Sequence, residues 1–109
     1  MTYQEVVKNI ESRIGKFKSK SNVRIKAFLE NIDSPHKNLK VIHIAGTNGK
    51  GSTVSFIKDI LKEDYKVGSF VSPHLITYCD RIKIGDTEIS QEDFAELGDF
   101  IIEKEKDIV

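Results

Sequence analysis

Paired cysteines, net charge and long apolar runs are all missing from this chain, and each absence removes a class of protein. The single Cys79 has no partner for an internal disulfide, and no residues offer paired-cysteine spacing for a metal, so neither a stapled secreted scaffold nor a zinc module is expected. Lys plus Arg and Asp plus Glu both number 17, giving a formal net charge of zero. A nucleic-acid footprint needs a one-signed basic face, so no nucleic-acid partner is expected. No stretch approaches the ~18 apolar residues of a membrane span, and the opening Met1-Thr-Tyr-Gln-Glu-Val-Val-Lys8 lacks the continuous apolar segment of a signal peptide. The expectation is a reduced, cytoplasmic setting with no membrane partner and with Cys79 as a small half-buried residue. There is no internal repeat, low-complexity tract or interdomain linker.

What is present is concentrated in Lys40-Val-Ile-His-Ile-Ala-Gly-Thr-Asn-Gly-Lys-Gly-Ser52, which changes character twice. The β-branched run Val41 to Ala45 predicts an apolar strand covered on both faces in a parallel sheet, with His43 as a satisfied sheet residue. A turn with glycines at 46, 49 and 51 follows, and then an apolar pattern at helical spacing. Strand, glycine-rich turn and helix aim backbone N–H groups and the positive end of a helix at an anion, and Lys50 adds a mobile charge. A nucleotide phosphate is the natural ligand. The standard phosphate loop, G-x-x-x-x-G-K-[ST], is met at Gly49-Lys50 but fails at Ile44 and at Gly51, where a magnesium-binding hydroxyl is usual. A solvated lysine in a glycine-rich turn is the alternative.

Around this stretch the chain reads as helices and short strands. Thr2 and Glu5 have capping-box spacing, and Tyr3, Val7, Ile10 and Ile14 recur at helical intervals before Gly15. After a polar connector over 16–22, Ile25, Phe28, Leu29 and Ile32 mark a second helix ending at Asp33-Ser34-Pro35, with His36 in a solvated loop. From Lys50, Val54, Ile57 and Leu61 line one helical face with Phe56 and Ile60 beside them, while Lys58, Asp59, Lys62 and Glu63 fall opposite. Val67 to Val71 is the return strand, so residues 41–71 are expected to form one βαβ unit with Gly46 and Ser72 at the carboxyl ends of its strands, where ligands of such units sit. Asp80 to Ile84 alternates, Gly85-Asp86 marks a turn and Thr87 to Ile89 pairs back. Ser90 to Asp93 opens a last helix with apolar positions Phe94, Leu97, Ile101 and Ile108. Arg81 has two readings, a surface ion pair or a contact to a carboxylate or phosphate.

The heptapeptide Gly46-Thr-Asn-Gly-Lys-Gly-Ser52 after His-Ile-Ala resembles the phosphate loop of the folylpolyglutamate synthase and dihydrofolate synthase family, a branch of the Mur ligase superfamily in which the hydroxyl follows the lysine by two positions, as Ser52 does. Ser72-Pro-His-Leu75 resembles the family's Ser-Pro-His-Leu loop, and Asp80-Arg-Ile82 is close to its Glu-Arg-Ile. Ser21-Asn22-Val23 departs from the family's Leu-Gly-Leu-like segment, which places pterin contacts there in doubt. The resemblance implies an ATP-dependent ligase that uses ATP and Mg2+ to phosphorylate a carboxylate of folate or dihydropteroate and joins L-glutamate to it through the acyl phosphate. It further implies that Thr47, Asn48, Gly49, Lys50, Gly51 and Ser52 cradle the triphosphate with Lys50 as the catalytic charge, that Ser72 is a magnesium ligand, and that Pro73, His74 and Leu75 shape the substrate loop. A Mur-type ligase acting on cell-wall precursors is disfavoured by Gly51-Ser52, since those enzymes place the hydroxyl directly after the lysine.

The fold class expected is α/β: a P-loop βαβ unit of a parallel sheet preceded by two helices. Only two parallel strands are expected before residue 109, so the chain reads as the first part of an ATP-binding domain, without the C-terminal domain and inactive as a ligase alone. The unfinished sheet edge offers a site of oligomerisation. The competing function is a stand-alone phosphate-loop module that binds nucleotide without ligase activity.

Overall fold

The computed structural model of the protein describes residues 1–13, 23–46, 48–72 and 76–108. Among them run helices α1 (Tyr3–Glu11), α2 (Val23–Asn31), α3 (Lys50–Leu61) and α4 (Gln91–Glu105) and strands β1 (Gly68–Phe70), β2 (Ile82–Ile84) and β3 (Thr87–Glu88). They fall into two compact units, one of Met1–Val41 with Glu92–Val109 and one of Ile42–Gln91. Helix and strand are mixed, as an α/β chain requires.

The first unit starts as its caps predict. Thr2 is extended and its hydroxyl accepts the Glu5 N–H at 3.2 Å, satisfying one of the donors a helix start leaves over. The side chain that becomes fully buried is Val6, not one of the four expected on this face. The reason lies in α4: a Cβ built on Gly98 would stand 2.4 Å from Val6 Cγ1, so the missing side chain lets Val6 in. Tyr3 and Phe94 meet edge to face with ring centroids 5.4 Å apart. The covered face of α4 is therefore turned toward Ala95 and Gly98, and Leu97 and Ile101, expected inside, are exposed. Arg13 closes the α4 end by a two-pronged ion pair, its Nη1 donating to Glu105 Oε2 at 2.7 Å and its Nη2 to Oε1. After α2, Asp33 and Ser34 take left-handed φ values of 68° and 49°, and the Ser34 N–H donates to the Leu29 carbonyl at 2.7 Å, so the helix stops ahead of Pro35. The predicted terminator Gly15 and the connector lie outside the described residues.

The second unit corrects the predicted topology. Residues 41–46 make no strand pairing, and the sheet that forms is a three-stranded antiparallel one in the order β1-β2-β3. Gly68 faces Ile84, Ser69 faces Lys83 and Phe70 faces Ile82, while Lys83 and Ile84 pair with Glu88 and Thr87. A strand exists only through its neighbours: the hairpin turn at Gly85, with φ 58°, brings β3 back on β2, whereas the apolar run 41–45 finds no ladder among the described residues and leaves Val41, Ile42 and His43 exposed. The segment expected to continue as a strand from Asp80 instead makes a 3-10 turn over Tyr78–Arg81 before β2. On α3 the covered positions include Val54, Ile57 and Leu61 as predicted, but also Lys58, expected on the solvent side and in fact buried.

Candidate functional site

The start of α3 is built by a glycine that only a left-handed conformation suits. Gly49 has φ 74° and ψ 8° and caps the helix without a side chain, a conformation that costs an L-residue of any other type roughly 1–2 kcal/mol. Gly46 also has positive φ, at 152°. Between residues 41–46, which carry no assigned helix or strand, and α3 the chain thus takes positive φ at both Gly46 and Gly49. The ladder of α3 opens with the Thr53 N–H donating to the Gly49 carbonyl at 3.0 Å. The N–H groups of Lys50, Gly51 and Ser52 precede it and belong to the first turn, whose donors point out of the helix end. Thr53 is also held by its hydroxyl, which donates to the same carbonyl at 2.9 Å.

Electrostatics sharpen this. The first turn of α3 carries no acidic residue and does carry Lys50, a cation at the end of the helix where the macrodipole is itself positive. Such an arrangement is locally unfavourable and is relieved by an anion. Asn48, Lys50, Gly51 and Ser52 are all exposed, and among the described residues nothing beyond the adjoining chain lies within 4 Å of a Cβ built on Gly49 or on Gly51. The loop is open on the side a ligand would approach. An open depression of about 340 Å³ continues from Gly51 and Ser52 along Ser55, Phe56 and Asp59.

Ser72 is exposed and lies two residues beyond the end of β1. The expected substrate-loop residues Pro73, His74 and Leu75, and Thr47 of the cradle, lie outside the described residues. Directly after that segment, Asp80 organises the backbone: its Oδ2 accepts the Ile76 N–H at 2.7 Å and the Thr77 N–H at 3.2 Å. Arg81 stands over the Tyr78 ring, 4.8 Å from its centroid, and its carbonyl accepts the Val71 N–H at 2.9 Å. Asp80 and Arg81 thus hold the backbone of Val71 on one side of that segment and of Ile76 and Thr77 on the other. The Thr77-x-x-Asp80 spacing was the signal available for this.

A second group escaped the sequence reading. Lys58 Nζ lies 3.0 Å from Asp86 Oδ1, and Lys62 Nζ lies 3.1 Å from Asp86 Oδ2 and 3.4 Å from Asp59 Oδ1. Hydrogen bonds from Lys58 and then Lys62 hold the Asp86 carboxyl below its ordinary range, and Asp86 and Asp59 raise Lys62. Among the described residues no three of His, Cys, Asp and Glu gather to hold a metal ion, and no helix is long and apolar enough to cross a membrane. Magnesium bound to nucleotide takes most of its ligands from phosphates and water, so a hydroxyl-based site is compatible with this donor set.

No family model matches the chain. It is 41% identical over 97 residues to a dihydrofolate synthase/folylpolyglutamate synthase of Bacillus subtilis, a match spanning 87% of this chain and 22% of that protein. A dihydrofolate synthetase of Saccharomyces cerevisiae is 39% identical over 75 residues, spanning 68% of this chain and 18% of its own length. Among solved structures, a folylpolyglutamate synthetase from Lactobacillus casei superposes with a TM-score of 0.89 at 28% identity, covering 99% of this chain and 27% of that one. A folylpolyglutamate synthase from Thermotoga maritima gives a TM-score of 0.79 at 36% identity, covering 91% and 23%. The chain therefore spans about a fifth of the length of these curated relatives.

Proposed function

We propose that this chain, a relative of the folylpolyglutamate synthase/dihydrofolate synthase family, provides the triphosphate-binding corner of an ATP-dependent ligase that joins glutamate to folate or dihydropteroate. The observation that carries the reading is the start of α3: a left-handed Gly49 opens a first turn whose leading N–H groups and Lys50 are exposed and which itself contains no acidic residue. ATP supplies the phosphoryl group that activates the substrate carboxylate as an acyl phosphate. What the chain's own residues contribute is position and charge. The N–H groups of Lys50, Gly51 and Ser52 orient phosphate oxygens, and Lys50 neutralises charge that grows on them, the two effects on which phosphoryl transfer chiefly depends.

In the same reading Thr47 and Asn48 complete the cradle, Ser72 ligates magnesium, and Pro73, His74 and Leu75 form the substrate side. Residues 41–45, apolar and rich in β-branched side chains, become a strand of a parallel sheet when other strands lie beside them. The chain corresponds to the N-terminal part of the ATP-binding domain, and the whole enzyme's substrates are folate or dihydropteroate and glutamate. The test is titration of the purified chain with ATP and magnesium, followed at the amides of Lys50, Gly51 and Ser52, beside Lys50→Ala. Saturable shifts at these amides that Lys50→Ala abolishes support the reading; equal binding by the variant overturns it.

A further inference from the structure

The buried lysine of α3 has no part in the cradle, yet it is tied to the helix that carries it. We propose that Lys58 and Asp86 are positioning residues for nucleotide binding: together they fix the tilt of α3 and so the aim of its opening N–H groups. This rests on the phosphate-binding reading above.

The geometry supplies the argument. Asp86 sits in the β2–β3 turn beside Gly85, whose φ of 58° tightens that turn. Its two carboxylate oxygens take one lysine each, Lys58 at 3.0 Å and Lys62 at 3.1 Å, one helical turn apart on α3. An exposed ion pair between mobile side chains fixes little, but Lys58 is 9% exposed, so its stem is packed before its ammonium reaches Asp86. Removing the carboxylate, itself 65% exposed, would free α3 from the β2–β3 turn whether or not the lysine charge remains. Lys50 lies eight residues before Lys58, a lever of about 12 Å at 1.5 Å per residue. A tilt of about 5° about the Lys58 end then swings the first turn by about 1 Å, more than the roughly 0.5 Å range of donor–acceptor distances an N–H···O hydrogen bond tolerates. Around Lys50 the phosphate end of α3 has only the small residues Gly49, Gly51 and Ser52, and none of the ion pairs found among the described residues holds it, while Lys58 and Lys62 tie the other end to Asp86.

The test compares the wild-type chain with Asp86→Asn, Asp86→Glu and the pair Lys58→Met with Asp86→Asn, the last keeping a buried stem without a stranded charge. Two readouts are taken: the amide resonances of Lys50, Gly51 and Ser52 without nucleotide, and the dissociation constant for ATP with magnesium. Asp86→Asn should shift those amides and weaken ATP binding by about tenfold, the loss of one hydrogen bond to a charged group. Asp86→Glu should recover most of both, and the double variant should fold and show the same weakening. Unmoved amides in folded Asp86→Asn, unchanged ATP binding in the double variant, or failure of Asp86→Glu to recover would overturn the proposal. If the wild type binds no ATP, the phosphate-binding reading falls, while the amide shifts still decide whether Asp86 aims the helix.

Discussion

Gly49 and Gly51 stand two residues apart in the same loop, and their alanine variants should behave in opposite ways. Gly49 has φ 74° with nothing within 4 Å of an added Cβ, so alanine there meets no clash and costs only the left-handed backbone, roughly 1–2 kcal/mol. Gly51 is inside α3 with equally open space around it. Alanine at that position should stabilise the chain by about 0.5–1 kcal/mol through lost unfolded-state freedom and better helix propensity, a rise in Tm of about 2–6 °C for a domain of this size. If the space beside Gly51 belongs to a phosphate, the same methyl group displaces that phosphate from its N–H partners. Losing one charge-assisted hydrogen bond of about 1.5 kcal/mol weakens ATP about tenfold. Thermal melts and an ATP titration on one preparation measure both. A more stable Gly51→Ala chain that binds ATP as the wild type does would refute the idea that the open glycine is a ligand seat, and a destabilised one would refute the helical placement.

Other outcomes follow from the remaining contacts. Gly98→Ala gains about 1 kcal/mol of helix propensity but forces Val6, β-branched and fully buried, to yield at a cost of about 1–3 kcal/mol; urea unfolding should show net destabilisation that disappears in a Val6→Ala background. The Arg13 hydrogen bond holds the Glu105 carboxyl below its ordinary value of 4.5. A depressed folded value means the pair stabilises above the unfolded pKa and is lost as pH falls through the folded one. Stability should therefore drop below about pH 4.5, and Glu105→Gln should flatten that acid limb; an unchanged limb would count against the pair. Asp86, also depressed, should lose its grip on Lys58 and Lys62 in the same acid range, seen as joint movement of their side-chain resonances.

Local chemistry was legible in the sequence and long-range packing was not. Thr2 before Glu5, Gly49 before Lys50 and Gly85 before Asp86 each act within a few residues, and the helix start or turn they predict is present. Lys58 pairs with Asp86, 28 positions away, and the burial of Val6 rests on Gly98, 92 positions away; helical periodicity carries no information on either. The run Val41 to Ala45 has strand composition, but pairing is a property of neighbours, and the described residues place none beside it. At the site, the turn, the helix start and the exposed Lys50 stand where expected. The bonds from Ile76 and Thr77 to Asp80 were hidden, because the spacing of Thr77 and Asp80 reads equally well as the start of a strand.

Manganese substituted for magnesium in the ATP complex measures the central claim directly, because its unpaired electrons broaden amide signals close to the metal. The account predicts that the amides of Gly51, Ser52 and Ser72 broaden together, and more than that of Gly85 in the β2–β3 turn, whose neighbour Asp86 pairs with the opposite end of α3. Broadening that spares Ser72, or that spreads evenly over the chain, would contradict a shared metal–triphosphate pocket at the start of α3 and the end of β1.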